Sequence, residues 1–485
     1  MATELVPEND MIVPMLEELN SALEGDEIPA HINSLIDKCS LNLSSLAQYN
    51  GDATRILVNI KRILLESSMV PNVDYNSLIE LLENVIKVCS FEDVLEIYSI
   101  DDLTKALQSK NSLLISAGCK IISKSYPKAI FAPSILLDIL LTLFFDTNTE
   151  TFVINAIENV FKSLSSDELI RRKIMFDNAP LLLRVKRDFE VTPYSRLIAL
   201  LKIEFEYIQP SEFNPKLFVI DRTELFKSIE TDILLFIQIT MYYTRMVQLL
   251  DTIDITKRSH LWASEHVVPL LTSFGEIYAN LSSYDDVRVH SLSFVFKLFR
   301  AVSYLDDESV FKSLDENYLK LSIDNCHYKE FLSFINPSYL AKYHKNLVKY
   351  LSVVKPSNLT AIRNLIADEN CFNLIKEDIT THSMLSMPYM EQMVLLEKLS
   401  QYPYSVNFMI HCLPMIMSNL IENPNGEVIE TETVELRRTT VENLLKFSEE
   451  DLNVWYIPLK KLYATMRNGT TSNGAAQPKI ATTYL

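Results

Sequence analysis

Apolar residues recur along this chain every three or four positions, which is the spacing of amphipathic α-helices. The pattern begins near Met11 and continues to about Met466, with short breaks rich in Asn, Ser, Asp and Pro. One short stretch, residues 218–220, is the exception, since it favours an extended conformation. The pattern therefore predicts an all-α chain, whose first clear helices are residues 32–46, 53–65 and 75–88.

Several of the predicted helices carry one small residue on an otherwise apolar face, and these small residues recur at a regular interval. Ala117, Ala156 and Ala199 are 39 and 43 positions apart, close to the period of about 40–47 residues of HEAT and armadillo units. Because one helix pair cannot bury its apolar face alone, such units stack into a solenoid with a continuous core and a curved inner surface.

Two further segments agree with this repeat. Asp285, Arg288 and Ser291 are placed as in the second helix of a HEAT unit, where an Asp and an Arg flank the helix start. Asn364 lies in a segment similar to the inner helix of an armadillo unit, and Asn443 repeats it 79 residues later, close to two repeat lengths. We therefore predict a right-handed α-α superhelix of HEAT/armadillo-like repeats.

The ends of the chain differ from this helical middle. Residues 1–9 are acidic and lack helical periodicity, and we expect them to be flexible. Residues 468–485 are rich in Gly, Ser, Thr and Asn and carry no apolar period, so we expect a disordered tail. The solenoid is predicted to span residues 10–467.

Composition supports the all-α prediction. The chain has only seven glycines in 485 residues, although proteins usually contain about 7 per cent and tight hairpins depend on them. The same scarcity excludes Gly-rich phosphate-binding loops, and neither G-x-x-x-x-G-K-[ST] nor G-x-G-x-x-G occurs. The six cysteines form no C-x-x-C pair and are interpreted as buried free thiols of a reducing compartment.

Targeting and membrane signals are also missing from the sequence. The first basic residue is Lys38, which excludes a positively charged presequence. The two most apolar stretches, residues 135–145 and 233–243, are interrupted by Asp138 and Gln238 and are too short to span a bilayer. We expect a cytoplasmic protein without a membrane partner, and the nucleus is a further expected location.

Catalytic and metal-binding motifs are absent from the sequence. The eight histidines are scattered, and neither H-E-x-x-H nor G-x-S-x-G occurs. We therefore expect no enzyme activity, no metal and no cofactor. A formal net charge of -18 opposes direct binding to nucleic acid. The composition favours a solenoid that binds another protein.

Residues 165–187 concentrate positive charge in this acidic chain. Ser165 and Glu168 have the spacing of a capping box that starts a first helix, while Asp177 and Asn178 should end it and cap a second helix that has Pro180 in its first turn. We call the six cations of this segment the basic ridge: Arg171, Arg172, Lys173, Arg184, Lys186 and Arg187.

Two interpretations of the basic ridge remain open at this point. Asp167 and Glu168 precede Arg171 and Arg172 by four residues, so the cations can form exposed ion pairs on a solvated face. Alternatively, a cationic surface in so acidic a chain is a place where an acidic partner docks. On the second interpretation the basic ridge contributes to the concave binding face, and further contact candidates are Arg288 and Arg363.

Several short sequence segments, spread over about residues 16–467, resemble one known family in their order and spacing. The chain is similar to the fungal HEAT/armadillo-repeat assembly chaperones of the 26S proteasome regulatory-particle base, a family also named for DNA mismatch repair and spontaneous mutability. The segments that carry this resemblance are residues 28–35, 38–43, 91–98, 166–172, 335–345, 367–372, 388–393 and 454–456.

The resemblance implies a C-shaped, non-catalytic solenoid that holds the C-terminal domain of the first regulatory ATPase subunit. It also implies an assembly module with the second ATPase subunit and the large non-ATPase scaffold subunit, and release before the 19S particle matures. One alternative is a mismatch repair factor that controls spontaneous mutation through protein contacts. A transport adaptor of the armadillo class would need a ladder of Asn and Trp residues, and the chain has only Trp262 and Trp455.

Overall fold

The computed structural model describes residues 8–25, 27–47, 49, 53–65, 70–252, 261–351, 354–422 and 430–468. These residues form helices and connecting turns without any β-strand, which confirms the predicted all-α class. The chain divides into two compact units, residues 1–270 and 271–485, and this division was not predicted from the sequence pattern. Residues 1–7 and 469–485, which hold most of the two expected flexible ends, lie outside the described residues.

Unit 1 is built from helices α1 to α15, and the unit boundary falls within α16. The bounds are α1 (Glu8–Glu24), α2 (Ile32–Ser45), α3 (Thr54–Leu65), α4 (Tyr75–Val88), α5 (Phe91–Ile97), α6 (Ile100–Gln108), α7 (Ser112–Ser123), α8 (Leu136–Phe145), α9 (Thr151–Leu164), α10 (Glu168–Arg172), α11 (Ala179–Asp188), α12 (Val191–Phe205), α13 (Pro215–Phe218), α14 (Arg222–Thr231), α15 (Ile233–Thr252) and α16 (Leu261–Ala279). Lys173–Asp177, between α10 and α11, is a π-helical segment.

Unit 2 continues with shorter helices. The bounds are α17 (Leu292–Ser303), α18 (Glu308–Leu314), α19 (Tyr328–Phe334), α20 (Pro337–Tyr343), α21 (Lys345–Tyr350), α22 (Leu359–Leu365), α23 (Glu369–Ile375), α24 (Thr381–Leu385), α25 (Tyr389–Leu399), α26 (Pro403–Cys412), α27 (Pro414–Glu422), α28 (Thr431–Leu444), α29 (Glu449–Leu452) and α30 (Tyr456–Asn468). Two further π-helical segments are Val287–Ser291 and Asp315–Leu319.

Unit 1 is built around one main row of helices. In this main row, α2, α4, α7, α9, α12 and α15 pack each against the next, while α1, α3, α6, α8, α11 and α14 each pack against a main-row helix. A main-row helix must bury side chains toward both neighbours, and α9 does so with apolar residues from Val153 to Leu164. Since full burial of one such side chain contributes about 1.5–3 kcal/mol, each helix is stabilised chiefly by its neighbours in the stack.

The three small residues that suggested a repeat lie on consecutive main-row helices. Ala117 is on α7, Ala156 on α9 and Ala199 on α12, and α9 packs against both of the other helices. The repeat predicted from their spacing is thereby confirmed.

Unit 2 has a corresponding row, in which α17, α19, α22, α25, α28 and α30 pack in order. Asn364 on α22 donates hydrogen bonds to the carbonyl oxygens of Leu332 and Ile335 at 2.9 and 2.7 Å. Asn443 on α28 donates to Ser400 Oγ at 3.3 Å. Both asparagines, which marked the repeat in the sequence, therefore tie a helix to the end of its predecessor in the row.

The predicted helix boundaries agree with the structure within one residue at α2, α3 and α4. The stretch at residues 218–220 contains no paired strand. Phe218 ends α13, and the extended backbone of Val219 leads on to α14.

The expectation that the apolar stretch at residues 233–243 is too short to span a bilayer is wrong as to length, because α15 continues to Thr252. An 18-residue window, Ile233–Leu250, is long and apolar enough to cross a membrane, and α26 with α27 passes the same test only as one span bent by 92°. In unit 1, however, α15 packs against α12 and α14 as a core helix.

Candidate protein interaction site

The basic ridge lies on α10, the π-helical segment that follows, and α11. The predicted capping box of Ser165 and Glu168 does not form. Asp167 caps α10 instead, because its carboxylate accepts hydrogen bonds from the N–H groups of Leu169 and Ile170 at 2.9 and 3.3 Å. Ser165 is fully buried two residues earlier, at the end of α9.

The predicted break between the two helices is confirmed at Asn178, and Pro180 lies in the first turn of α11. The predicted side-chain cap is wrong. The Asn178 amide donates to Asp138 Oδ1 at 2.8 Å and to the carbonyl oxygen of Lys173 at 2.9 Å, so it ties the π-helical segment to α8.

Arg171 is not a surface residue, which corrects its place in the predicted ridge. Its side chain is buried, with its Nε 3.2 Å from Glu212 Oε2 and its Nη1 donating to the carbonyl oxygen of Ser165 at 3.0 Å. The alternative ion pair with Asp167 does not form. Arg171 follows the fully buried Ile170, and its guanidinium connects α10 to the turn 41 residues further along the chain.

Lys186 is likewise not part of the exposed surface of the basic ridge. Its Nζ donates to the carbonyl oxygens of Lys216, at 2.8 Å, and Val219 at the end of α13, and it lies 3.5 Å from Glu224 Oε2. Burial lowers the pKa of Lys186. Lys186 lies four residues after the fully buried Leu182, so both side chains share the inner side of α11.

Three cations of the basic ridge remain exposed, and we call them the arginine cluster: Arg172, Arg184 and Arg187. Arg172 and Arg184 form no ion pair among the described residues, while Arg187 Nε is 3.6 Å from Asp188. Lys173 is half-buried and pairs with Asp138 at 3.0 Å. Of the six cations in the basic ridge, therefore, mainly the three of the arginine cluster are exposed to solvent.

Two exposed apolar side chains flank Arg172 along the chain. Leu169 is 56% exposed and Phe176 is 47% exposed, and their positions three residues before and four residues after Arg172 place them on one helical face. A guanidinium between a leucine and a phenylalanine has the chemistry of protein interfaces, where Arg and aromatic residues are enriched.

The two more distant candidates lie in unit 2 and have partners within it. Arg288, in a π-helical segment, is exposed, and its Nη2 is 2.7 Å from Asp285 Oδ1. Arg363 on α22 is half-buried, with its Nη2 3.7 Å from Glu397 Oε2 on α25. The buried Nε of Arg363 has no hydrogen-bond partner among the described residues.

A groove on the main row was not predicted from the sequence. It crosses the exposed sides of α9, α12 and α15, has a volume of about 460 Å³ and is lined in part by Ile198, Ala199, Lys202 and Met241. The signal for it was Ala199, whose methyl group leaves space that a larger side chain would fill. The groove lies on the main row, whereas the arginine cluster lies on helices outside that row.

A buried carboxyl group lies beneath the basic ridge. Glu204 on α12 is fully buried and accepts a hydrogen bond from Ser165 Oγ at 2.5 Å, while its Oε2 has no partner among the described residues. Burial raises the pKa of Glu204 to about 8, although Ser165 and Arg171 oppose this shift and Glu212 adds to it. Glu212, and not Glu204, forms the ion pair with the buried Arg171.

Within the described part of the chain, no group of three His, Cys, Asp or Glu side chains could hold a metal ion. The cysteines are free, but the prediction that all are buried is wrong. Cys326 and Cys412 are exposed, whereas burial raises the pKa of Cys39 to about 11.

Comparison with known proteins identifies close similarity over nearly the whole chain. Residues 13–248 match the family described as "DNA mismatch repair protein HSM3, N terminal domain", and residues 260–485 match its C terminal domain counterpart. The two matched regions approximate the two compact units.

Individual relatives agree with these matches. A protein named DNA mismatch repair protein HSM3 from Eremothecium gossypii is 38% identical, over 94% of this chain and 96% of its own. The protein of the same name from Saccharomyces cerevisiae is 37% identical, over 98% of each chain. Among solved structures, an engineered protein covers 89% of this chain and 98% of its own, at 12% identity and a TM-score of 0.36.

Proposed function

The chain belongs to the family described as DNA mismatch repair protein HSM3, and from this premise we propose that it is a non-catalytic assembly chaperone of the 19S regulatory-particle base of the 26S proteasome. The proposed partner is the C-terminal domain of the first regulatory ATPase subunit. The second ATPase subunit and the large non-ATPase scaffold subunit join the same module. The chaperone acts in the cytoplasm, and also in the nucleus, and leaves before the proteasome matures.

The observation that carries this proposal is the arginine cluster, together with Leu169 three residues before Arg172 and Phe176 four residues after it. These side chains are exposed in a chain whose formal net charge is -18. The arginines favour an acidic partner, because a planar guanidinium can bind a carboxylate through two parallel hydrogen bonds. Leu169 and Phe176 add apolar contact area, from which water is expelled when the partner binds.

Stacked helices suit the proposed task, because neighbouring repeats hold a broad surface in a fixed shape. Such a surface can cover a face of the ATPase that would otherwise associate too early. Release then follows when a competing subunit binds that face more tightly, since the two cannot occupy it together.

The experiment that tests the proposal is a calorimetric titration of the full chain with the isolated C-terminal domains of all six proteasomal ATPases. We expect one-to-one binding to the domain of the first subunit and at least a hundredfold weaker binding to the other five. Binding to none of the six, or equal binding to all, would contradict the proposal.

A second candidate function is mismatch repair in the control of spontaneous mutation, exerted through protein contacts. The name of the relatives, DNA mismatch repair protein HSM3, favours it. The net charge of -18 makes direct duplex binding unfavourable, so the proposed contacts are with repair proteins. A titration with purified mismatch repair proteins separates this candidate from the first, because the chaperone proposal expects no binding there.

A further inference from the structure

A pocket in unit 1, with a volume of about 220 Å³, lies between α3, α6 and α7. It shares no lining residue with the arginine cluster or with the groove on α9, α12 and α15. Its floor consists of three residues with small side chains or none: Ala106 on α6, and Ala117 and Gly118 on α7. A Cβ at Gly118 would first meet Leu107 Cδ2, at 3.4 Å, so the space left by the missing side chain is not filled by a neighbour.

The walls of the pocket that water can reach are apolar. Leu65, the last residue of α3, is 60% exposed, and Leu114 on α7 is half-buried. Ala106 of the floor is half-buried as well. A ligand that covers these three side chains removes apolar surface from water, which is favourable roughly in proportion to the area covered.

The pocket also carries a positive charge. Among the described residues, Asp102 is the only carboxylate of the lining, and it accepts hydrogen bonds from Lys61 Nζ at 2.9 Å and Ser99 Oγ at 2.8 Å. These bonds lower the pKa of Asp102, so it stays ionised and neutralises Lys61. Lys105, which also lines the pocket, is exposed and forms no ion pair within the described part of the chain. An anionic ligand therefore complements the pocket, and a cationic ligand does not.

We propose that this pocket binds a small carboxylate that carries one aromatic ring on a short alkyl chain. The ring packs on Leu65, Ala106 and Leu114, and the carboxylate accepts a hydrogen bond from Lys105 Nζ. The lysine side chain has a flexible stem, so its ammonium group can reach a carboxylate held at the mouth of the pocket. This site goes beyond the proposed chaperone function and does not depend on it.

The volume of the pocket sets the size of the ligand. An apolar cavity of about 150 Å³ holds one benzene molecule, so a pocket of about 220 Å³ has room for one ring and a short chain. Pockets for drug-sized ligands have volumes of about 300–1,000 Å³, so larger ring systems do not fit within this one. The carboxylate remains at the open side, where water and Lys105 both solvate it.

The test is a titration of the full chain with phenylpropanoate, followed by nuclear magnetic resonance of the ligand. We expect saturable binding with a Kd of about 1 mM or tighter, as for a small ligand with few contacts. Two analogues of similar shape test the charge. The neutral phenylpropanamide should bind about threefold more weakly, and the cationic phenylpropylamine at least about tenfold more weakly.

Two variants test the two parts of the site. Lys105→Glu should weaken binding of phenylpropanoate about tenfold, because a repulsion replaces an attraction. Ala106→Leu should weaken it at least about tenfold, because the larger side chain takes up space that the ring needs. Circular dichroism verifies that both variants are folded, and Lys105→Glu changes only an exposed side chain, so it tests the site even if Ala106→Leu does not fold.

Lys110→Glu is the matched control. Lys110 is also exposed and lies five residues after Lys105, but it does not line the pocket, so its variant should change the affinity less than about twofold. The proposal is overturned if the unmodified chain shows no saturable binding, if phenylpropylamine binds as well as phenylpropanoate, or if Lys105→Glu weakens binding no more than Lys110→Glu does.

Discussion

Arg171 and Glu212 form a buried ion pair across 41 residues of chain, with 3.2 Å between Nε and Oε2. The sequence placed this arginine on a docking surface beside Arg172, which the structure leaves exposed. Two adjacent arginines thus have different tasks, since Arg171 connects α10 to a later turn and Arg172 faces solvent.

Arg171→Ala should destabilise the protein by about 3–5 kcal/mol, because it leaves the Glu212 carboxylate buried without its counter-charge. Arg172→Ala, the matched control, should change the free energy of unfolding by less than about 0.5 kcal/mol. Urea denaturation followed by circular dichroism measures both. Equal stability of the two variants would show that the buried pair contributes nothing.

The arginine cluster should govern partner binding through its charge. Arg172→Glu combined with Arg184→Glu should weaken binding of the first ATPase's C-terminal domain at least tenfold, and less so at high salt, where exposed charges are screened. Calorimetry at two ionic strengths measures this effect. Lys345→Glu with Lys349→Glu reverses two exposed cations of α21 and is the matched control. An unchanged affinity in the first variant, with the fold intact, would refute the role of the cluster.

Glu204 should make stability fall as pH rises. Its folded pKa of about 8 exceeds the ordinary 4.5, so between these values the folded chain keeps a proton that the unfolded chain has lost. The contribution of Glu204 to the free energy of unfolding is fully present below about pH 4.5. It is lost as the pH rises from there to about 8, at up to about 1.4 kcal/mol per pH unit. Glu204→Gln should remove that slope in urea denaturations between pH 5 and 8.

The control for this prediction is Glu168→Gln, because Glu168 is exposed in the first turn of α10. This variant should keep the pH dependence of the unmodified protein. If Glu204→Gln kept the same slope as well, the buried carboxyl would not be protonated in the folded state at neutral pH.

Gly275 in α16 should tolerate no side chain. A Cβ at this position would lie 2.7 Å from Cδ2 of Tyr318, whereas a Cβ at Gly118 in α7 would first meet Leu107 Cδ2 at 3.4 Å. We expect Gly275→Ala to lower the free energy of unfolding by about 1–3 kcal/mol. Gly118→Ala should instead raise it by up to about 1 kcal/mol, since alanine favours a helix. Thermal unfolding of the two variants compares them directly, and a stabilised Gly275→Ala would disprove the close approach.

Several helix boundaries could be read from the sequence because local signals define them. Apolar spacing located α2, α3 and α4, and the interval between Ala117, Ala156 and Ala199 located the repeat. The burial of Lys186 was not readable, because three consecutive leucines, residues 181–183, precede it and the sequence does not show which of them faces the core. Its partners Lys216 and Glu224 were not readable either, because they lie 30 or more residues away along the chain.

The sequence by itself determined the all-α class, the stacked repeat and the family, since these depend on periodicity and residue order along the chain. Only the tertiary structure decided which cations reach solvent, because burial depends on the helix that packs against each side chain. It also decided that Ala199 of α12 and Met241 of α15 line one groove, since packing between neighbouring helices sets which exposed residues meet. The local sequence pattern therefore predicts the helices, whereas packing between segments distant in sequence determines which residues form the surfaces.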